Sequence, residues 1–160
     1  MINIIFACDK NYLIGAGDKI PWHYKEDLLY YKSQVEGHTV LMGLQTYLSL
    51  KGYYKNKPLP YGKIYVASLD DVEYQDCIIV KDVKSFLEGC SEDLWVIGGA
   101  TIFRFALPFA DKLYITHIDK EYEGNIYFPE YNHDDFKMIS QRQSKENPEL
   151  KFTVYERRKK

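Results

Sequence analysis

The chain has 160 residues, enough for one domain with a sizeable core and too few for two ordinary ones, so a single domain over residues 1–160 is expected. Hydrophobic residues make up 46% and charged residues 28%, a globular composition that excludes a disordered segment. A formal charge of −2 supplies no overall field toward nucleic acid or an anionic membrane, and neither is expected as a partner.

The first apolar run, "INIIFAC", has no basic leader and is too short and too β-branched for a signal peptide or a membrane span. It reads as a first strand over 2–8, and a cytoplasmic protein is expected. Further strands are predicted over 38–43, 63–68, 77–80, 93–98, 112–118, 134–142 and 150–157. Helical periodicity falls over 25–36, 44–49, 83–88 and 100–107, bounded by Gly37, Gly52, Gly89 and Pro108. Strands separated by helices require crossovers and hence a largely parallel sheet, while the last two strands follow one another directly. The expected class is α/β, a parallel sheet closed by an antiparallel edge. Cys8, Cys77 and Cys90 are odd in number and far apart, which argues for reduced packing residues over a disulfide framework. His23, His38, His117 and His133 are scattered and fit no zinc pattern, so no metal is expected. The fifteen tyrosines suit a core that wraps a flat polar ligand, although coding bias alone also produces them.

Three stretches have chemical potential. In the first helix, Tyr24, Leu28, Tyr31 and Val35 form an apolar stripe, and Asp27 lies about 60° from Tyr24, on the flank of that stripe. An acid leaning toward apolar surroundings is costly unless something bonds it. Either it exploits the positive end of the helix dipole, or it is held in a dry pocket to grip a paired N–H donor. The preceding "GAGDKI" loop is free to close over a site, and Trp22 behind it reads as a core anchor. The second and third stretches are "TVLMGLQTYLSL" and "LWVIGGATIFRFALP". In each, an apolar strand runs into glycine and then a helix N-terminus, forming an anion cradle; two on one parallel sheet suit a ligand with separated phosphates, such as a dinucleotide.

Taken together, "INIIFACDKNYLIG", "PWHYKEDLLYYK", "VLMGLQTYLSL", "KPLP", "VIGGATIF", "LYITHID", "EGNIYFP" and "FTVYERR" resemble the dihydrofolate reductase family over essentially the whole chain. The resemblance implies that family's fold: a central eight-stranded, mostly parallel sheet with an antiparallel edge strand and four flanking helices. It implies hydride transfer from NADPH to C6 of 7,8-dihydrofolate with protonation at N5, in a monomer. It assigns Asp27 as the single active-site acid, Thr116 as the residue bonding it, and Trp22 as the holder of an ordered water. Ile5, Ala7, Leu28, Tyr31, Leu50, Leu59, Lys63 and Phe103 match substrate-binding positions. Ala7, Ile14, Gly15, Ile20, Gly43, Leu44, Gln45, Thr46, Ser68, Lys81, Ile97, Gly98, Gly99, Ala100, Thr101 and Ile102 match positions around the cofactor, with Gly15 to Ile20 forming the mobile loop.

The chain also departs from the family pattern. In "PLPYGK" an ungapped match puts Gly62 where an arginine usually forks onto the folate glutamate, and Lys63 is the nearest substitute, as a point charge only. Leu44 and the "SLD" of Ser68 to Asp70 stand where a 2′-phosphate is usually gripped, so NADH use is expected alongside NADPH. Phe103 replaces a tyrosine and Asn125 an aspartate that helps close the loop. Two alternatives therefore stand beside dihydrofolate reduction. One is a same-fold reductase of a dihydropterin or other small heterocycle without the glutamate tail; the other is a non-catalytic pterin- or nucleotide-binding paralogue.

Overall fold

Alternation within Ile2–Cys8 explains why this segment, β1, lies at the centre of the molecule. Ile2, Ile4, Phe6 and Cys8 point into one apolar cluster, and Ile5 points into another on the opposite side. A strand with both faces covered belongs inside a doubly packed sheet, where each fully buried Ile or Phe contributes about 1.5–3 kcal/mol. The computed structural model describes residues 1–17 and 19–159. Asp18, in the "GAGDKI" loop, and Lys160, in the basic tail, lie outside the described residues.

The elements follow as β2 (Leu13–Gly15), α1 (Lys25–Val35), β3 (Val40–Gly43), α2 (Leu44–Tyr53), β4 (Ile64–Ala67), β5 (Ile78–Val80), α3 (Val83–Glu88), β6 (Leu94–Gly98), α4 (Ala100–Ala106), β7 (Lys112–Ile118), β8 (Ile126–Tyr127), β9 (Phe136–Gln143) and β10 (Leu150–Arg157). Eight strands make the main sheet in the order β5-β4-β3-β6-β1-β7-β10-β9. The neighbours from β5 to β7 run parallel, and β10 is antiparallel to both β7 and β9. This is the expected eight-stranded sheet with four helices, its antiparallel edge being a hairpin with β10 inside and β9 outside.

Two small elements were not legible. β2 and β8 pair as a separate two-stranded ribbon of three and two residues, too short to display a period. The second helix also runs past the expected end at 49, through Gly52 to Tyr53. Leu50 and Tyr54 pack against the apolar cluster on that side of the sheet, and this tertiary contact outweighs one glycine in the last turn. The reversal comes instead at Lys55 and Asn56, both left-handed, with φ of 53° and 63°.

The apolar layer on the α3/α4 side gathers Ile4, Phe6, Leu94, Val96, Phe103, Leu113 and Ile115. The layer on the α1/α2 side gathers Ile5, Val35, Val40, Met42, Tyr47, Leu59 and Trp95. The three cysteines are free. Burial pushes the Cys8 thiol up to about 12, so it stays protonated and packs as a small apolar group. His117, bonded to the Tyr155 hydroxyl at 3.1 Å, is held below its ordinary 6.5 by burial, then by Lys151 and His133. The unfolded chain binds this proton more readily, so the contribution of neutral His117 is complete above the unfolded pKa and is lost as pH falls toward the folded one. Urea midpoints are expected to drop between about pH 7.5 and about pH 5.5, and His117→Gln should flatten that slope.

Candidate active site

The sheet opens where β1 and β6 stop pairing. Their register runs from Ile2 opposite Leu94 to Ile4 opposite Val96. Beyond it β1 continues along β7 as far as Cys8 opposite His117, while β6 continues along β3 as far as Gly98 opposite Met42. The carboxyl halves of two central strands therefore part. The chain reaches β3 on one side of β1 and crosses β1 to reach β7 on the other, which makes this the switch point at which open α/β sheets bind ligands.

On the β7 bank stands the acid. Asp27 sits in the first turn of α1 and is half-buried. Thr116, 3% exposed, is in register with Ala7 at the bottom of the opening. Burial raises the pKa of Asp27 above its ordinary value; the neighbouring Thr116 hydroxyl draws it back, and the charge of Glu26 adds to the rise. The net direction favours the dry-pocket reading of this residue. A carboxylate governed by the helix dipole would be depressed, whereas this one is governed by desolvation. Trp22 is buried among Ile118, Leu150 and Phe152, with its ring 5.2 Å from that of Tyr122. It has the packing of a core anchor directly before the acid-bearing helix.

Apolar walls extend from the acid. Ile5 and Leu59 are buried in one cluster, with Tyr31 and Leu50 packed against it. Ala7 is half-buried beside Trp22, and Leu28 is 41% exposed on the same helix. The Tyr31 hydroxyl meets that of Tyr61 at 2.9 Å, joining α1 to the "PLPYG" turn. Sequence reasoning missed Tyr61, because a contact across thirty residues leaves no local signature.

On the other bank the two glycine turns come together. A Cβ added at Gly43 would meet Ile102 Cγ1 at 3.2 Å and Gly99 N at 3.9 Å, and one at Gly98 or Gly99 would stand 3.7 Å from Thr46 Oγ1. The turns are thus packed against each other, presenting the N-terminal ends of α2 and α4 side by side. Gly98 has φ of 132°, a conformation open to glycine. Ala100 and the exposed Thr101 open α4, and the exposed Gln45 lies in the first turn of α2. Leu44 and Ile97 are packed on the α1/α2-side cluster, and Ile102 is buried in the opposite one.

The loop after β2 is tied across to residues 124–127. Gly17 N donates to Asn125 Oδ1 at 2.8 Å, and Gly124 approaches Gly15 O so closely that a Cβ there would come within 2.6 Å. Ile14 is half-buried and Ile20 is 58% exposed. The expected tie is therefore present with a neutral acceptor. Charge-assisted hydrogen bonds are about twice as strong as neutral ones, so Asn125→Asp should strengthen closure and slow product release about twofold to tenfold, measured by stopped-flow competition.

Five further positions are engaged by other neighbours. Lys63 follows the alternation of β4 onto the α3 side, where its Nζ lies 3.7 Å from Glu92 and over the Tyr65 ring. It does not join Tyr31, Leu50 and Leu59, which corrects its expected place among the substrate residues. Phe103 is 3% exposed, packed against the stacked rings of Phe6 and Phe128 in the α3/α4-side core, and nears the cleft only beneath Gly98. Lys81 is engaged by Asp71, and the Ser68 hydroxyl accepts the backbone N–H of Asp70 at 3.1 Å. Gly62 lies against residue 37, where an added Cβ would stand 2.7 Å from the Gly37 carbonyl oxygen.

A parted parallel sheet with helix N-termini on one bank and a desolvated acid on the other is the architecture of a nucleotide-dependent α/β enzyme. The family model described as Dihydrofolate reductase matches residues 1–158. The dihydrofolate reductase of Bacillus subtilis (strain 168) is 40% identical over 165 residues, spanning 99% of this chain and 95% of that protein. That of Staphylococcus haemolyticus is 31% identical over 163 residues, spanning 98% and 95%. In three dimensions the chain is similar to the dihydrofolate reductase from Enterococcus faecalis complexed with NADP(H) and RAB-propyl, with a TM-score of 0.85 at 24% identity, over 99% of this chain and 97% of that one. The chain belongs to the dihydrofolate reductase family.

Proposed function

We propose that this chain reduces 7,8-dihydrofolate to tetrahydrofolate with NADPH, and that Asp27 is the acid on which the reaction depends. The observation that carries the reading is a half-buried carboxylate in the first turn of α1, near Thr116 and the opening between β1 and β6, where burial pushes its pKa up. Its two oxygens match the adjacent N3–H and 2-amino donors of a pterin, and its charge makes the bound ring more basic toward a proton at N5. Ile5, Ala7, Leu28, Tyr31, Leu50 and Leu59 supply apolar walls that exclude water from the ring system. Trp22 fixes the entry to α1. The fit of the cofactor rests on the glycine turns: the backbone of Gly98 and Gly99, free of side chains, and the hydroxyl of Thr46 beside it suit phosphate oxygens at two helix N-termini. Gly43, Thr46, Gly98, Gly99, Ala100 and Thr101 would hold it. NADPH, when bound, supplies the hydride for C6.

The adenosine end supports weak discrimination between NADPH and NADH. Leu44 is packed on apolar neighbours, Leu69 is 87% exposed, and Lys81 is occupied by Asp71. Losing a charge-assisted contact to a 2′-phosphate forfeits about tenfold to a hundredfold in affinity. The enzyme is further read as one domain, monomeric and cytoplasmic; among the described residues no helix is long and apolar enough to cross a membrane.

Lys63 turned toward Glu92, and Gly62 packed on Gly37, favour a second reading: a reductase of the same fold whose substrate lacks the glutamate tail. Absorbance assays with dihydrofolate and with unconjugated dihydropterin, each with NADPH and NADH, separate the two. Turnover of dihydrofolate with an NADPH/NADH efficiency ratio below about a thousand is expected. Turnover confined to the unconjugated pterin would establish the second reading, and turnover of neither would refute both.

A further inference from the structure

The first turn of α1 carries Asp27, and apolar packing holds it only from its entry, where Tyr24 rests on the cluster of Trp22, Ile118, Leu150 and Phe152. The helix's fully buried side chain is Val35, at its far end, and Tyr24 occupies the N-cap without a side-chain hydrogen bond to the helix. Beside the turn, Lys25, Glu26 and Leu29 face Arg142, Lys145 and Glu146 across a groove of about 580 Å³.

The turn is held from its other side by the loop joining β9 and β10. Ser144, 3% exposed, donates its hydroxyl to Glu26 Oε1 and accepts the Asn147 N–H at 2.9 Å. Asn147 Nδ2 donates to the same Glu26 oxygen at 3.1 Å, and Arg142 stands 3.8 Å from the other. Two residues before Glu26, the Tyr24 hydroxyl donates to Glu149 Oε2 at 2.9 Å, and Lys120 approaches that carboxylate at 3.2 Å. Two points on the helix start are thus pinned to one loop, and the bonds to an ionised carboxylate are of the stronger kind.

We propose that Glu26, gripped by Ser144 and Asn147, is a positioning residue for the reaction: it sets the height and rotation of the first turn of α1 and thereby aims Asp27 into the cleft. The proposal rests on Asp27 being the reacting acid. A side chain one residue away needs no contact with substrate to act, because about 1 Å of misplacement is enough to degrade a bidentate grip. Glu26 has a second route, its charge, which opposes ionisation of Asp27. Arg142 on β9 partly offsets that charge and also faces Tyr30, while Lys25, Lys145 and Glu146 line the open side.

The two routes separate by substitution. Ser144→Ala removes the grip and keeps the charge; Glu26→Gln keeps an acceptor oxygen and removes the charge. In Ser144→Ala, dihydrofolate affinity without cofactor, read by quenching of Trp22 and Trp95 fluorescence, should fall about threefold to tenfold, with a matching loss in single-turnover hydride transfer and unchanged NADPH affinity. In Glu26→Gln, isotope-edited carboxyl NMR, assigned with Asp27→Asn, should show the Asp27 titration moved down by about half a unit. If Ser144→Ala does not fold, Asn147→Ala removes one donor and should show the same pattern, smaller. A folded Ser144→Ala or Asn147→Ala protein with parental dihydrofolate affinity overturns the positioning role, and an unmoved Asp27 titration in Glu26→Gln overturns the charge effect. If Asp27→Asn itself turns over normally, it is the acid assignment that fails, not the grip alone.

Discussion

Asp27→Asn is expected to lower hydride transfer at neutral pH by about a hundredfold or more, the lower end of what acid–base groups contribute. The amide keeps the shape of the carboxylate but presents one acceptor and one donor where two acceptors are needed, so one pterin N–H would face an N–H. It also removes the charge that favours a proton on the ring. Stability should move the other way. A carboxyl group whose folded pKa is raised contributes most below its unfolded pKa, and that contribution is lost as pH rises through the folded value, so at neutral pH the charge of Asp27 opposes folding. The variant should therefore melt no lower than the parent while losing its rate. Single-turnover kinetics with scanning calorimetry on the same samples check both parts; normal turnover would return Asp27 to the role of a helix-start acid.

Gly98→Ala should weaken NADPH binding by about tenfold to a hundredfold, with dihydrofolate affinity much less affected. Space is not the obstacle, since an added Cβ would meet Phe103 and Thr46 no closer than 3.7 Å. The obstacle is φ of 132°, where an L side chain costs about 1–3 kcal/mol. The chain would relieve that strain by rotating the turn, and the start of α4 would leave its place against Thr46 and Gly43. Gly43→Ala is the milder control, because its Cβ would press Ile102 at 3.2 Å with no penalty in φ. Equilibrium titration of both variants with NADPH checks the ordering; equal losses would show that crowding, not backbone conformation, governs the turn.

Much of the candidate site was legible because its parts are local. Asp27 stood out through helical spacing from Tyr24, and the glycine turns through an apolar run broken by glycine before a helix. That the two turns pack against each other was not legible: Gly43 and Gly99 are far apart in sequence and meet only because β3 and β6 are neighbours. Lys63 had a partial signal, since strand alternation places it on the face of Tyr65 and opposite Ile64. Which of those faces carries the cleft is not a local property. Glu26 leaves no local signal, because its partners Ser144 and Asn147 lie more than a hundred residues away.

The amino-acid order by itself determined the succession of strands and helices, the parallel character of the sheet and the place of Asp27 on the flank of an apolar stripe, since each follows from periodicity and turn chemistry within a dozen residues. Only the tertiary structure decided where the sheet parts, which side of it Lys63 and Phe103 occupy, and what holds the start of α1. Those features depend on strand order and register, and strand order is set by the burial of both sheet faces at once, a condition that no single segment contains.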